Sequence, residues 1–351
     1  MKLDRAPFLQ AVTLCKPAIA DKSIIQELTF LFSDGATLTA YDDVIGIQVP
    51  FASGLVGGVK GTLLLGMLEN ATAKQIEIEQ DNPDEVLLKS GRFRVTLALL
   101  PADRAVYQLP KGKAKPFRLS LSFYEALKAC LPALSSKAVL PDQLGISIAL
   151  HDSLRFFATD SNTMAFATMK HNCDQWPFKQ GLRVILPAAF AKQLIDIGTD
   201  GTTLYLTANE ALAETDKGIK LFSRLIFSPK PHDFQRTLEA EMKSVQLFTI
   251  PPRLETMLDR ALLIFEHHPE KLIAAQLQIK DGTLRVAAKT KHEALNDSTK
   301  LDEIPQDKTA LVVPKRLKRV LPLAERMGLT ENGVVLTGKN VIYLVANHSE
   351  A

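Results

Sequence analysis

Asp34-Gly35-Ala36-Thr37-Leu38-Thr39-Ala40-Tyr41-Asp42, Asp152-Ser153-Leu154-Arg155-Phe156-Phe157-Ala158-Thr159-Asp160 and Asp281-Gly282-Thr283-Leu284-Arg285-Val286-Ala287-Ala288-Lys289 share one pattern. Each is an acidic residue with Gly or Ser, then an alternating strand. Alternation places every second side chain on one face of a sheet. Strand-like residues also precede each turn, so each copy predicts a hairpin. Ala40, Ala158 and Ala288 are 118 and 130 residues apart, which is the period of an internal repeat.

Further features keep that period. Ile185-Leu186-Pro187-Ala188 and Val312-Val313-Pro314-Lys315 each predict a strand running into a helix. Proline suits the first helical position because the N–H it lacks would have no partner there. Lys60–Glu69 takes this place in the first third, without the proline. Each third opens on an apolar-periodic helix, at about Asp4–Cys15, Ser120–Leu131 and Pro252–Ile264. In the last, Leu254, Met257, Leu258, Ala261 and Leu262 fall at helical spacing. Each third closes on a hairpin pattern: Val86–Leu88 with Phe93–Leu99, Ile219–Phe222 with Arg224–Phe227, and Val334–Leu336 with Val341–Val345. Linkers are expected near Leu109–Pro116 and Glu239–Thr249, which divides the chain into domains 1–116, 117–246 and 247–351.

Two helices on antiparallel sheets, repeated three times, define an α+β fold. Exposed strand edges must be paired or blocked. Three such units side by side form an arc, and two arcs joined head to tail close a ring in which every edge is paired.

Composition narrows the function. The chain has 351 residues, 46% hydrophobic and 23% charged, which excludes a disordered chain. Lys and Arg number 42 against 39 Asp and Glu, which excludes a polycation. By thirds the balance is 0, +1 and +2, so any DNA-facing surface must be a local stripe. Lys315, Lys318 and Arg319 share one helix face, with Leu317, Val320, Leu321 and Ala324 opposite. That face is either simply solvated or turned to phosphates. Cys15, Cys130 and Cys173 are far apart without a CxxC spacing, which points to a reducing, cytoplasmic setting and against structural zinc. The uncharged run Val44–Val59 is broken by Gly46, Pro50, Gly54, Gly57 and Gly58 and is too short for the roughly 20 residues of a membrane span.

The repeat and its local strings resemble the beta sliding clamp, the processivity factor of bacterial replicative DNA polymerase. The strings are Leu88-Lys89-Ser90-Gly91-Arg92-Phe93-Arg94 with Leu99-Leu100-Pro101-Ala102, Leu154-Arg155 through Ala158-Thr159-Asp160, and Lys220–Phe227 followed by Asp233-Phe234-Gln235-Arg236. The resemblance covers essentially the whole chain. It implies a homodimeric ring of three-domain subunits around duplex DNA, without cofactor or metal. Polymerase and clamp loader would bind it through short linear peptides.

The resemblance also implies sites. The peptide cleft would use Thr159, Ser161, Asn162, Thr163, Met164, His232, Arg236 and Thr237, with Leu144 nearby. Ser161-Asn162-Thr163-Met164 stands where the family usually has Gly-His-Arg-Leu. The C-terminus, Ala346 onward, lacks the family's apolar and basic tail, so an altered cleft in a divergent, phage-type member is expected. Lys22 and Gln143 match DNA-facing loop positions. Lys128, Arg253 and Arg260 are added from helix faces, beside Lys315, Lys318 and Arg319. For the dimer, Ile264 and Phe265 match third-domain apolar positions. Ala105-Val106 falls near a first-domain aromatic, whose absence there predicts a weaker contact.

Enzyme readings find little. Gly57-Gly58-Val59-Lys60-Gly61-Thr62 fails the phosphate-loop pattern because Gly61 separates Lys60 from Thr62. His267-His268 point apart on a helix, and His151, His171, His232, His292 and His348 lack ligand spacing. Asp42-Asp43 reads as a strand-end turn. The reading is a non-enzymatic sliding clamp. The alternative is a clamp-fold interaction scaffold that no longer encircles DNA.

Overall fold

The three turn-and-strand stretches fold as hairpins of equivalent position. The computed structural model describes residues 1–106, 114–135, 140–170, 173–229, 232–266, 274–290 and 292–348. The first copy runs β1 (Lys2–Asp4), α1 (Arg5–Cys15), β2 (Phe30–Asp34), β3 (Thr37–Tyr41), β4 (Ile45–Pro50), β5 (Val56–Lys60), α2 (Gly61–Asn70), β6 (Gln75–Asn82), β7 (Glu85–Ser90) and β8 (Phe93–Ala98). The second runs β9 (Pro116–Arg118), α3 (Leu121–Cys130), β10 (Gly145–Leu150), β11 (Leu154–Thr159), β12 (Thr163–Met169), β13 (Arg183–Pro187), α4 (Ala188–Ile197), β14 (Thr203–Leu206), β15 (Glu210–Glu214) and β16 (Lys220–Arg224). After α5 (Phe234–Ser244), the third runs β17 (Phe248–Thr249), α6 (Leu254–Glu266), β18 (Ala275–Lys280), β19 (Thr283–Lys289), β20 (Ala294–Lys300), β21 (Lys308–Val312), α7 (Pro314–Val320), β22 (Arg326–Thr330), β23 (Gly333–Thr337) and β24 (Val341–Ala346). Element for element, the three copies repeat the same order of strands and helices.

The turn chemistry is local. Asp281 and Gly282 both have positive φ, 47° and 67°, as a two-residue hairpin turn requires. The turn after the second strand of each hairpin is held from within. Asp42 Oδ1 accepts the N–H groups of Val44 and Ile45, and Asp160 Oδ1 those of Asn162 and Thr163. Thr290 Oγ1 does the same for His292 and Glu293. These short polar side chains replace backbone partners that the turn cannot supply.

The chain divides into two compact units, Met1–Leu121 with Ala189–Leu225, and Ser122–Ala188 with Ile226–Ala351. The first unit holds sheets ordered β1-β6-β7-β8 and β5-β2-β3-β4-β16-β15-β14-β9. The second holds β13-β10-β11-β12-β24-β23-β22-β17 and β20-β19-β18-β21. Each eight-stranded sheet thus joins half of one copy to half of the next, through β4–β16 and β12–β24, both antiparallel. Gly46 is needed at the first joint because the Phe222 ring occupies the space its Cβ would take. β8 and β20 hold the corresponding places in the four-stranded sheets, and neither has an outer strand partner among the described residues.

Cores follow the expected faces. Leu254, Met257, Leu258 and Ala261 of α6 are buried, as are Leu317 and Val320 of α7. In the second unit, Tyr343 donates its hydroxyl proton to Ala129 O at 2.8 Å, tying β24 to α3.

Several expectations need correction. The closing hairpin of the second copy is β15–β16, not 219–222 with 224–227. Beyond Arg224 the chain leaves that sheet, and Ile226 bridges Ile185 on β13 instead. α5 occupies 234–244, where the second linker was expected to begin; Asp233 caps it by accepting the Arg236 N–H at 3.1 Å. Pro314 opens α7, but Pro187 ends β13. Ala324 lies past the end of α7 and is half-buried. Most of the expected first linker, together with His171, His267 and His268, falls outside the described residues.

Candidate functional site

In the second unit, the turn after β11, the end of β24 and the start of α5 surround a cavity of about 660 Å³. Thr159, Ser161, Asn162, Thr163, Met164, His232 and Thr237 all line it, joined by Leu140, Pro141, Asp142, Phe234 and Leu344. One wall is the β12–β24 joint, where Met164 faces Leu344 and Ala346 N–H donates to Asn162 O at 2.7 Å. Thr159 Oγ1 donates to Thr163 O at 3.0 Å and accepts the Ser161 N–H at 3.1 Å. Ser161 sits at φ 72°, a position that small polar turn residues tolerate better than branched ones.

The opposite wall centres on His232. Its N–H donates to Asp142 Oδ2 at 2.7 Å, its Nε2 lies 3.3 Å from Thr237 Oγ1, and its ring meets Phe234 edge-on at 5.0 Å. Arg183 donates to His232 O at 2.9 Å and lies over the Phe157 and Phe234 rings at 5.8 and 5.3 Å. Burial pulls the Arg183 pKa below its ordinary value, opposed by the charges of Asp142 and Asp233.

Three expected placements differ. Gln143 is buried in the cavity wall, where its Nε2 donates to Ser161 Oγ, so it is not displayed on an open loop. Leu144 is exposed and does not line the cavity; its carbonyl accepts the Ala188 N–H. Arg236 is also outside the lining, because Phe234 and Thr237, one helical turn apart, present the cavity face of α5.

The basic candidates divide sharply. Arg253 and Arg260 both pair with Asp297 on β20, at 3.4 and 2.6 Å. Lys318 pairs with Asp259 and Glu255 of α6, and Arg319 with Asp160 at 2.9 Å. Burial alone would raise the Asp297 carboxyl, but hydrogen bonds from Arg260 and the Ser298 N–H and the two arginine charges hold it below the usual range. Lys22, Lys128 and Lys315 are exposed and make no ion pair among the described residues. Lys128 also borders a smaller hollow of about 290 Å³ with Glu125 and Lys339.

Of the dimer candidates, Val106 is 50% exposed, and Ile264 and Phe265 are half-buried beside exposed Leu263 at the end of α6. Reasoning from sequence passed over Phe93. It is also 50% exposed, and it lies on the edge strand β8, on the same face as Val95 and Leu97. It stands inside the string Ser90-Gly91-Arg92-Phe93, so its alternation with Leu97 was a usable signal. Asp142, buried beside His232, carried no such signal. Among the described residues no three His, Cys, Asp or Glu side chains are grouped to hold a metal. No helix among them is long and apolar enough to cross a membrane.

No family model and no curated protein sequence matches the chain. Solved structures do. The beta chain of DNA polymerase III from Streptococcus pneumoniae superposes with a TM-score of 0.85 at 17% identity, over 99% of each chain. The sliding clamp of Pseudomonas aeruginosa, solved bound to griselimycin, matches at 0.83 and 18%, over 100% of this chain and 99% of that one. The Helicobacter pylori beta clamp, solved with a DNA ligase peptide, matches at 0.79 and 15%, over 99% of each chain. The chain is therefore a three-copy α+β protein with a clamp-type fold. Its fold is that of the bacterial DNA polymerase III beta sliding clamp.

Proposed function

We propose that the protein is a DNA sliding clamp, a head-to-tail homodimer that encircles duplex DNA and tethers polymerase and loader through the second-unit cavity. The strand order carries the reading. Joints β4–β16 and β12–β24 link copy one to two and two to three. A third joint of the same kind needs β20 of one chain against β8 of another. Made twice, it closes a six-copy ring and pairs the outer edges of β8 and β20, which the single chain leaves without a neighbour among the described residues. Phe93, Ile264, Phe265 and Val106 supply apolar surface for that contact. On this reading one copy makes one domain, with boundaries near 116 and 246.

Lys22, Lys128 and Lys315 would touch phosphates, which position a duplex without reading its sequence. The neutralised arginines fit a protein held on DNA by topology more than by affinity. A mostly apolar cavity with a few polar groups suits a linear peptide with buried anchors. No catalytic role is assigned, and the setting is the cytoplasm. The test is retention on DNA: after loading, a clamp stays on circular duplex and runs off when the circle is cut.

The ion pairing of Arg253, Arg260, Lys318 and Arg319 favours a second reading, a clamp-fold scaffold that has given up DNA. Equal loss from circular and linear DNA would support it.

A further inference from the structure

We infer that Asp142 makes this cleft selective for a peptide bringing a basic side chain, Lys or Arg, alongside its apolar anchors. The inference rests on the peptide-cleft reading and adds the chemistry of the partner. Asp142 lines the cavity and is 7% exposed. Its Oδ2 accepts the His232 N–H at 2.7 Å, while its Oδ1 is buried and accepts no hydrogen bond. A buried carboxylate oxygen without a donor is costly, and a charge-assisted bond recovers more than a neutral one.

Among the described residues no side chain supplies that donor. Arg183 lies 3.9 Å away on the Oδ2 side and is engaged by His232 O and two aromatic rings. Among the described lining residues no Lys or Arg appears, and Asp142 is the one carboxylate. The charge complement of the wall is therefore a cation brought by the ligand. Thr163, 1% exposed on the same lining, also has a hydroxyl without a partner. It can donate to a peptide carbonyl and fix the strand that delivers the base.

The test uses the purified full chain and fluorescently labelled ten-residue peptides. Each carries Leu and Phe on a Ser/Gly background, with one Lys moved through the remaining positions, and matched norleucine and Glu versions. At one or more positions the Lys peptide should bind about tenfold more tightly than both matches. Asp142→Asn keeps the shape and the bond from His232. It should erase that gain, so that the Lys and norleucine versions bind the variant with affinities within about twofold of each other. If norleucine peptides bind and Lys adds nothing at any position, or the gain survives in Asp142→Asn, the inference fails and the cleft reading stands. If no version binds, both fail. The wild-type series decides the matter even if the variant folds poorly.

Discussion

Arg319 on α7 donates to Asp160 Oδ2 at 2.9 Å, while Asp160 Oδ1 accepts the N–H groups of Asn162 and Thr163. One carboxylate thus holds the cavity turn and anchors the basic helix. The two partners should not be equivalent. Arg319→Ala removes a partly exposed ion pair and should cost at most about 1 kcal/mol. Asp160→Ala also leaves two turn N–H groups without their acceptor and should cost about 1–3 kcal/mol. Denaturant titration of both variants checks the order, and equal losses would count against it.

Asp297 neutralises both Arg253 and Arg260. Asp297→Asn should free them, raise DNA affinity, and steepen its salt dependence by up to about two phosphate contacts. An unchanged slope would show that α6 does not face DNA. The pH effect has a definite sign. The folded carboxyl titrates below its ordinary value, so its stabilising contribution is complete above the unfolded pKa of about 3.9 and is lost as pH falls through the lower folded value. The stability gap between wild type and Asp297→Asn should therefore shrink between pH 5 and strongly acidic solution, as urea titrations across that range would show.

Burial pushes the Cys15 thiol up to about 12 and raises Cys130 further, whereas Cys173 is half-buried. At pH 8 the first two hold almost no thiolate and are shielded from reagent. A chromogenic disulfide reagent should label one thiol of the native chain, at Cys173, and all three after unfolding. Rapid labelling of three in the native state would contradict the packing of α1 and α3.

These contrasts mark how far the sequence was readable. Hairpins and helices at a fixed period were visible because alternation and helical spacing are local signals, as Ala40, Ala158 and Ala288 show. The cavity residues from Thr159 to Met164 were found through resemblance. Asp142 was missed because Asp-Gln between a proline and a leucine reads as solvated loop, and its burial depends on His232, 90 residues away. The ion pairing of the arginines was equally hidden, since Asp297 lies 44 and 37 residues from Arg253 and Arg260. α5 escaped notice because it buries little apolar surface beyond Phe234 and Leu238.

Phe93 stands on the open edge of β8, and Phe265 near the end of α6. If β8 and β20 of two chains pair, Phe93→Asp should weaken the dimer by tenfold or more, since it places a charge in an apolar contact. Val106→Asp, off the strand, should have a smaller effect. Sedimentation equilibrium over a concentration series would rank the two.

The most direct test of the account is the mass of the native chain in solution at micromolar concentration, by light scattering. The account predicts twice the 38.6 kDa of one chain. A single-chain mass at that concentration would leave the outer edges of β8 and β20 open and would contradict a closed ring.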